Sequence, residues 1–93
     1  MQVKDLKPGM DKVEIELTVD FVGQIRKGEY GESPNVRTYL RDETGEIAMT
    51  FWGDLCRKVK KGMKVKVKNG YVTEYKGDLQ LNYKEGEDPE LTK

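Results

Sequence analysis

The sequence predicts an all-β protein in which five strands form a small Greek-key barrel, with a short helix between strands 3 and 4. Three observations predict this class. Apolar and polar residues alternate in several runs, turn residues separate the runs, and a helix-like segment falls between the third and fourth runs. With 93 residues, the chain is long enough for one domain with one core.

A long first strand is predicted by five apolar residues that alternate with polar ones: Val13, Ile15, Leu17, Val19 and Phe21. This phase places Phe21 in the core. Gly23 follows, and a glycine there would permit the bend or bulge that lets one strand serve both halves of a closed sheet. Residues 26–35 contain two glycines and a proline without periodicity, so we expect a mobile loop.

Strands 2 and 3 are predicted as a hairpin. The inward residues of strand 2 are Val36, Thr38 and Leu40, and its outward residues are Arg37, Tyr39 and Arg41. The turn at 42–45 is expected to place Gly45 at a positive φ angle. On strand 3 the inward residues are Ile47, Met49 and Phe51, which leaves Trp52 on the outer face.

The second half predicts a helix followed by a second hairpin. Residues 53–61 are predicted to form a short helix or a helical turn, with Leu55 and Val59 on one face. Strand 4 turns Val65 and Val67 inward, and unbroken alternation would turn Tyr71 and Tyr75 inward as well. An outward position for both tyrosines therefore requires a one-residue register shift at Asn69-Gly70. A turn at 76–78 leads to the last strand, residues 79–83.

Five strands with a helix between the third and fourth is the order of an OB-fold, a Greek-key barrel that removes its exposed edges by closure. An SH3-like barrel is the competing five-stranded fold, but it would not normally place a helix there. We therefore expect residues 1–84 to form one OB-fold domain and residues 85–93 to form a short acidic tail.

Charge is balanced in total but unevenly distributed. Lysine and arginine number 17, as do aspartate and glutamate, so the formal net charge is zero. Seven basic residues and no acid lie between Arg57 and Lys68. A solvated helix and a lysine-protected edge strand would explain this run without any binding role.

Several protein classes are excluded by composition. No window reaches the roughly 18 apolar residues that a membrane span needs, and a signal-peptide layout is absent. The single cysteine, Cys56, cannot form an internal disulfide, and a chain without histidine lacks a Cys/His zinc set. We expect Cys56 to be a packing residue, and we expect no cofactor, no metal and a cytoplasmic, nucleoid-associated location (nuclear in a eukaryote).

Five motifs in order carry a resemblance to a known family. They are residues 6–10 (Leu-Lys-Pro-Gly-Met), 42–45 (Asp-Glu-Thr-Gly), 50–54 (Thr-Phe-Trp-Gly-Asp), 61–63 (Lys-Gly-Met) and 69–81. The chain resembles the archaeal single-stranded DNA-binding proteins, their simple eukaryotic homologues with one OB domain, and the DNA-binding OB domains of replication protein A. The resemblance covers residues 3–83.

The resemblance implies that Trp52, Tyr71 and Tyr75 stack on bases, because aromatic side chains do so in this family. Tyr39 and Arg37 share the outward phase and would extend that surface. The predicted phosphate contacts are Arg26, Lys27, Arg37, Arg41 and Lys76. Gln80 and Asn82 are outward amides that could hydrogen-bond base edges.

The predicted function is non-catalytic binding of single-stranded DNA in replication, repair or recombination. Single-stranded DNA is the expected partner, with RNA as a variant, and replication or repair proteins are further expected partners. The protein is expected to act as a monomer or as multiple copies along a strand. The alternative is an OB subunit that binds protein in a replication-type complex. A nuclease is the weakest hypothesis, because Asp42, Glu43 and Glu46 lie on a structural turn and form no evident metal site.

Overall fold

The alternating runs fold as β-strands around one core. The structure is a computed structural model that describes residues 1–27, 33–84 and 86–93. The strands are β1 (Val13–Val22), β2 (Asn35–Asp42), β3 (Gly45–Trp52), β4 (Lys64–Tyr75), β5 (Asp78–Tyr83) and β6 (Glu90–Thr92). A helix, α1 (Leu55–Lys58), lies between β3 and β4, and a 3₁₀ turn spans Val3–Asp5. Part of the loop predicted at 26–35, residues 28–32, lies outside the described residues.

The first five strands close into a barrel. β1 is antiparallel to both β2 and β4, β2 to β3, and β4 to β5. A parallel pairing of β3 with β5, at Ala48–Gln80 and Met49–Leu81, completes the ring. The predicted five-stranded barrel with a helix between strands 3 and 4 is confirmed. Among the described residues, no helix has the length and apolar character to cross a membrane.

Inward residues from all five barrel strands form the core. The largest fully buried side chains are Phe51, Leu17, Leu40, Met49 and Leu81. Burying each contributes roughly 1.5–3 kcal/mol. Thr38 is buried too, and its hydroxyl donates to the Met49 carbonyl oxygen at 2.8 Å, which satisfies its polar atom. Cys56, which we expected to be a half-buried packing residue, is fully buried, and burial raises the pKa of its thiol.

A bulge in β1 overturns the prediction for Phe21. Val19 pairs with Leu40 and Phe21 with Tyr39, so β1 contains one residue more than β2 in this interval. The extra residue reverses the inward–outward phase, and Phe21 is 52% exposed. The bulge also lies before Gly23, where we predicted the bend. Gly23 instead allows a close backbone approach, because a Cβ there would lie 3.0 Å from the Arg37 carbonyl oxygen.

A second bulge, in β4, confirms the register shift predicted at Asn69-Gly70. Ile15 pairs with Val67 and Val13 with Gly70, so three steps on β4 oppose two on β1. The buried positions accordingly change from Val65 and Val67 to Gly70 and Val72. Tyr71 and Tyr75 therefore take the outward phase.

The hairpin turn between β2 and β3 is present, but its predicted backbone is wrong. Gly45 does not have a positive φ. The turn is instead stabilised by Asp42, whose Oδ1 accepts hydrogen bonds from the Thr44 N–H, the Thr44 hydroxyl and the Gly45 N–H. Burial acts to raise the pKa of Asp42, but these bonds and one from the Val3 N–H hold it below its usual value.

Part of the predicted acidic tail is paired with the barrel. Strand β6 lies antiparallel to the first half of β4, with Leu91 opposite Val65. The Lys68 Nζ donates to the Glu90 Oε1 in a salt bridge of 2.9 Å. This hydrogen bond lowers the pKa of the Glu90 carboxyl. β6 therefore covers an edge of β4 that a five-stranded barrel leaves open here.

Candidate nucleic-acid interface

A row of outward side chains crosses all five barrel strands. The pairings run from Phe21 on β1 to Tyr39 on β2, Ala48 on β3, Gln80 on β5 and Thr73 on β4. Bulky rings stand at one end of the row, and the small side chain of Ala48 stands at its centre. Ala48 takes the outward phase but is only 5% exposed, so larger neighbouring side chains cover it.

Two hollows lie on this surface and share Arg37 and Tyr39; together we call them the outer groove. The larger measures about 520 Å³, and its lining is Phe21, Gly23, Gln24, Arg26, Asn35, Arg37, Tyr39 and Thr50. The smaller measures about 270 Å³, and its lining is Val3, Arg37, Tyr39, Glu46, Ile47, Ala48, Gly77, Asp78 and Leu79. Three predicted site residues, Arg26, Arg37 and Tyr39, are thus brought together.

Tyr39 lies between an aromatic ring and a cation. Its ring centroid is 6.0 Å from that of Phe21, with the two planes tilted by 51°. The Arg37 Cζ lies 5.6 Å from the Tyr39 centroid, within cation–π range. These contacts orient two rings and a guanidinium toward one hollow. Phe21 is the residue that the sequence analysis missed, because the alternating pattern contains no signal for the bulge.

Trp52 stands at the end of β3 and is 49% exposed. Its backbone N–H donates to the Tyr83 hydroxyl at 2.8 Å, and burial raises the pKa of that hydroxyl. The Tyr83 ring in turn packs 6.1 Å from the buried Phe51 ring. Tyr83 thereby ties the Trp52 backbone to the core. Trp52 does not line the outer groove.

Tyr75 and Tyr71 both face outward but occupy different surroundings. Tyr75 is 63% exposed, and the Lys76 Nζ lies 5.3 Å from its ring centroid. Tyr71 lines a separate hollow of about 410 Å³ beside Met10, Asp11 and Lys84. The structure therefore does not place Tyr71 in the outer groove.

The predicted phosphate contacts differ in their charge environment. Arg26 lines the groove, and its backbone bridges that of Asn35 through two hydrogen bonds of 2.7 and 2.9 Å. Arg41 instead forms a salt bridge with Asp20 at 3.1 Å and pairs across strands with Glu46. Lys27 is exposed beside the undescribed residues.

Of the two outward amides, Asn82 is occupied within the β4–β5 hairpin. Its Nδ2 donates to the Tyr71 and Gln80 carbonyl oxygens and to the Thr73 hydroxyl. Gln80 is half-buried and lies opposite Ala48 on the floor of the row. Within residues 1–27, 33–84 and 86–93, no group of three His, Cys, Asp or Glu side chains could hold a metal ion.

A closed five-stranded barrel with aromatic and cationic residues across its outer face defines the OB class of binding domain. Residues 19–88 match the family model described as OB-fold nucleic acid binding domain (tRNA_anti-codon). The chain belongs to this family.

Comparisons with individual proteins agree with this assignment. Over 85 residues the chain is 34% identical to the "Single-stranded DNA binding protein Ssb" of Saccharolobus solfataricus, a match covering 87% of this chain and 56% of that protein. The chain thus spans just over half the length of this curated relative.

Two solved structures share the fold. A hypothetical protein from Arabidopsis thaliana matches 98% of this chain and 70% of its own, with a TM-score of 0.77 and 23% identity. A replication protein A heterotrimer bound to ssDNA matches all of this chain and 24% of its own, with a TM-score of 0.68 and 17% identity.

Proposed function

We propose that this chain binds single-stranded DNA without catalysis, in replication, repair or recombination. The observation that carries the proposal is the outer groove, in which Phe21, Tyr39, Arg26 and Arg37 converge on one hollow. The relative named as a single-stranded DNA binding protein supports this choice of ligand.

Stacking accounts for the aromatic residues of the groove. Every base has a π-face, so rings on a surface bind single strands with little sequence preference, at about 1–3 kcal/mol per stacked base. Tyr39 and Phe21 supply two adjacent rings. We assign Trp52 and Tyr75 to the continuation of the strand beyond the groove, because both rings are largely exposed. Tyr71 would stack on a base only if the bound strand also reached the separate hollow that Tyr71 and Lys84 line.

Cations account for affinity to the backbone. Arg26 and Arg37 line the groove, while Arg41 is already paired with Asp20, so we assign the phosphate contacts mainly to the first two. Lys27 follows Arg26 in the chain, and Lys76 precedes Gly77, which lines the smaller hollow. Both lysines are exposed and would add further phosphate contacts. Gln80, on the floor of the row, is the side chain we assign to base edges.

A single strand fits this surface better than a duplex does. Paired bases keep their faces stacked inside the helix, so the rings of the groove would find no partner. We further propose that the protein acts as a monomer or as multiple copies along one strand.

The test is fluorescence anisotropy of a labelled oligo-dT titrated with protein at several salt concentrations. Each phosphate contact with a single strand contributes about −0.7 to the slope of log affinity against log salt, so three to five contacts predict a slope of about −2 to −4. The substitution Arg37→Ala should make this slope shallower by about 0.7.

Arg41→Ala is the matched control. It removes the same charge from another outward position of β2, but from a residue that is bonded to Asp20, and should change the slope less. A matched duplex and an oligo-rU complete the set. The proposal fails if duplex binds as tightly as oligo-dT, and a clear preference for oligo-rU would assign the groove to RNA.

A further inference from the structure

A cluster of cations outside the outer groove has no role in the function proposed above. We call it the basic pole and define it as Arg57, Lys58, Lys60, Lys61 and Lys64, all of them exposed. Lys58, Lys60 and Lys61 line a hollow of about 350 Å³ together with Gly62, Met63 and Lys93. The end of α1 and the turn after it thus meet at one positive hollow, and Arg57 and Lys64 flank these residues along the chain.

Within the described part of the chain, the acidic side chains that form salt bridges do so with cations outside the basic pole. The salt bridges of the described residues use Arg41, Lys68 and Lys84, and none uses a residue of the pole. Along β4, Lys66 lies opposite Glu16 and Glu90, whereas Lys64 lies opposite Thr18 and Thr92. Acidic partners therefore accompany the middle of β4 and stop where the pole begins.

The basic pole is joined to the outer groove through β1. Val19 donates its N–H to the Met63 carbonyl oxygen at 2.8 Å and accepts the Gly62 N–H at 2.9 Å. Phe21, which lines the groove, lies two residues beyond Val19. The intervening acid, Asp20, is paired with Arg41 and does not offset the lysines.

The chemistry of the pole differs from that of the groove. Of the described residues, those that line its hollow are four lysines, a glycine and a methionine, with no aromatic ring among them. It offers ammonium groups, which bind phosphates as point charges and do not require the faces of the bases. Such a surface suits nucleic acid whether or not its bases are paired.

We propose that the basic pole binds the phosphates of a duplex arm adjoining the single strand in the outer groove. The protein would then prefer junctions between single- and double-stranded DNA to either component alone. This inference rests on the proposed function, because the groove must hold the single strand. Continuity with the groove favours nucleic acid over an acidic protein segment as the occupant.

The test compares four labelled DNAs: an oligo-dT of about eight nucleotides, two versions of it that carry a duplex arm of about one helical turn, about 10 base pairs, at one end or at the other, and the duplex alone. At low salt, about 50 mM, one arm polarity should raise affinity about tenfold over oligo-dT. Relative to oligo-dT, the slope of log affinity against log salt should become steeper by about −2 to −3, which is the contribution of three duplex phosphate contacts.

The variant Lys58→Ala/Lys60→Ala/Lys61→Ala should lose this gain while keeping its affinity for oligo-dT. The control Lys4→Ala/Lys7→Ala/Lys66→Ala removes three exposed lysines elsewhere and should keep the gain. Unfolding midpoints equal to that of the parent protein establish that both variants are folded. A second variant carries glutamine at the same three positions. All three side chains are exposed, so this change removes their charges without altering the core.

Four results would overturn the inference. If the protein binds oligo-dT but neither duplex arm raises the affinity, the inference is wrong and the proposed function stands. The same holds if the gain in affinity survives the triple substitution. Tighter binding of poly-glutamate than of duplex, lost in the variant, would assign the pole to an acidic protein. Failure of the parent protein to bind oligo-dT would overturn both this inference and the proposed function.

Discussion

Tyr39 is the central side chain of the outer groove. It lines both hollows, packs beside Phe21 and lies under the Arg37 guanidinium. Its outward position follows from the alternation on β2, where Val36, Thr38 and Leu40 are all buried. The outward position of the neighbouring Phe21 ring follows from the β1 bulge. One member of the ring pair is therefore predictable from the sequence and the other is not.

The two phenylalanines should respond oppositely to truncation. Phe21 is 52% exposed and lines the groove, so Phe21→Ala should weaken oligo-dT binding by about 1–2 kcal/mol and change the free energy of unfolding by less than about 1 kcal/mol. Phe51 is fully buried, so Phe51→Ala should cost about 3–5 kcal/mol of stability. Anisotropy and urea unfolding measure the two effects. A large stability loss in Phe21→Ala without a binding defect would return Phe21 to the core.

At the scale of the element, β4 combines two registers in one strand. Its first half turns Val65 and Val67 into the barrel and displays lysines, and its second half turns Val72 inward and displays tyrosines. The change occurs at Gly70, where a Cβ would lie 2.7 Å from the Val67 Cγ1 and 2.8 Å from the Asn82 carbonyl oxygen. Only glycine fits this position, so the Asn69-Gly70 pair was a usable signal. β1 makes its shift at Asp20, where no glycine or proline marks it.

Gly70→Ala should therefore destabilise the barrel by about 1–3 kcal/mol, since the added methyl group meets the backbone of β5. Gly45→Ala is the matched control, because its Cβ would meet only the Val3 side chain at 3.2 Å, and it should cost less. Chemical unfolding of both variants compares the costs. Equal stability of the two would show that β4 does not need a glycine at its bulge.

The hairpin turn and the C-terminal segment show what local sequence could not predict about elements. The 42–45 turn was predicted in place, but its backbone depends on the Asp42 carboxylate and not on Gly45. β6 has three residues and no alternating pattern to announce it. Its pairing depends on Leu91 reaching Val65 and on Glu90 reaching Lys68, which are contacts between distant parts of the chain.

For the whole molecule, zero net charge conceals a division into differently charged surfaces. Arg26 and Arg37 lie in the groove, the exposed lysines of the basic pole form no salt bridge within the described residues, and Arg41 and Lys68 are bonded to acids. The order of the strands and the position of the helix were predictable because barrel closure demands a simple pattern. The sequence could not predict which cations are available to bind phosphates, because the acids that bond Arg41 and Lys68 come from other strands.

The central claim is that single-stranded DNA runs across the outer face from the groove past Trp52. Trp52 is the only tryptophan and is 49% exposed, so its fluorescence reports on one site. The decisive measurement is titration with oligo-dT in low and moderate salt, with a matched duplex as control. We predict saturable quenching by the single strand, weakened by salt and absent with duplex. Unchanged fluorescence at saturating oligo-dT would contradict the account.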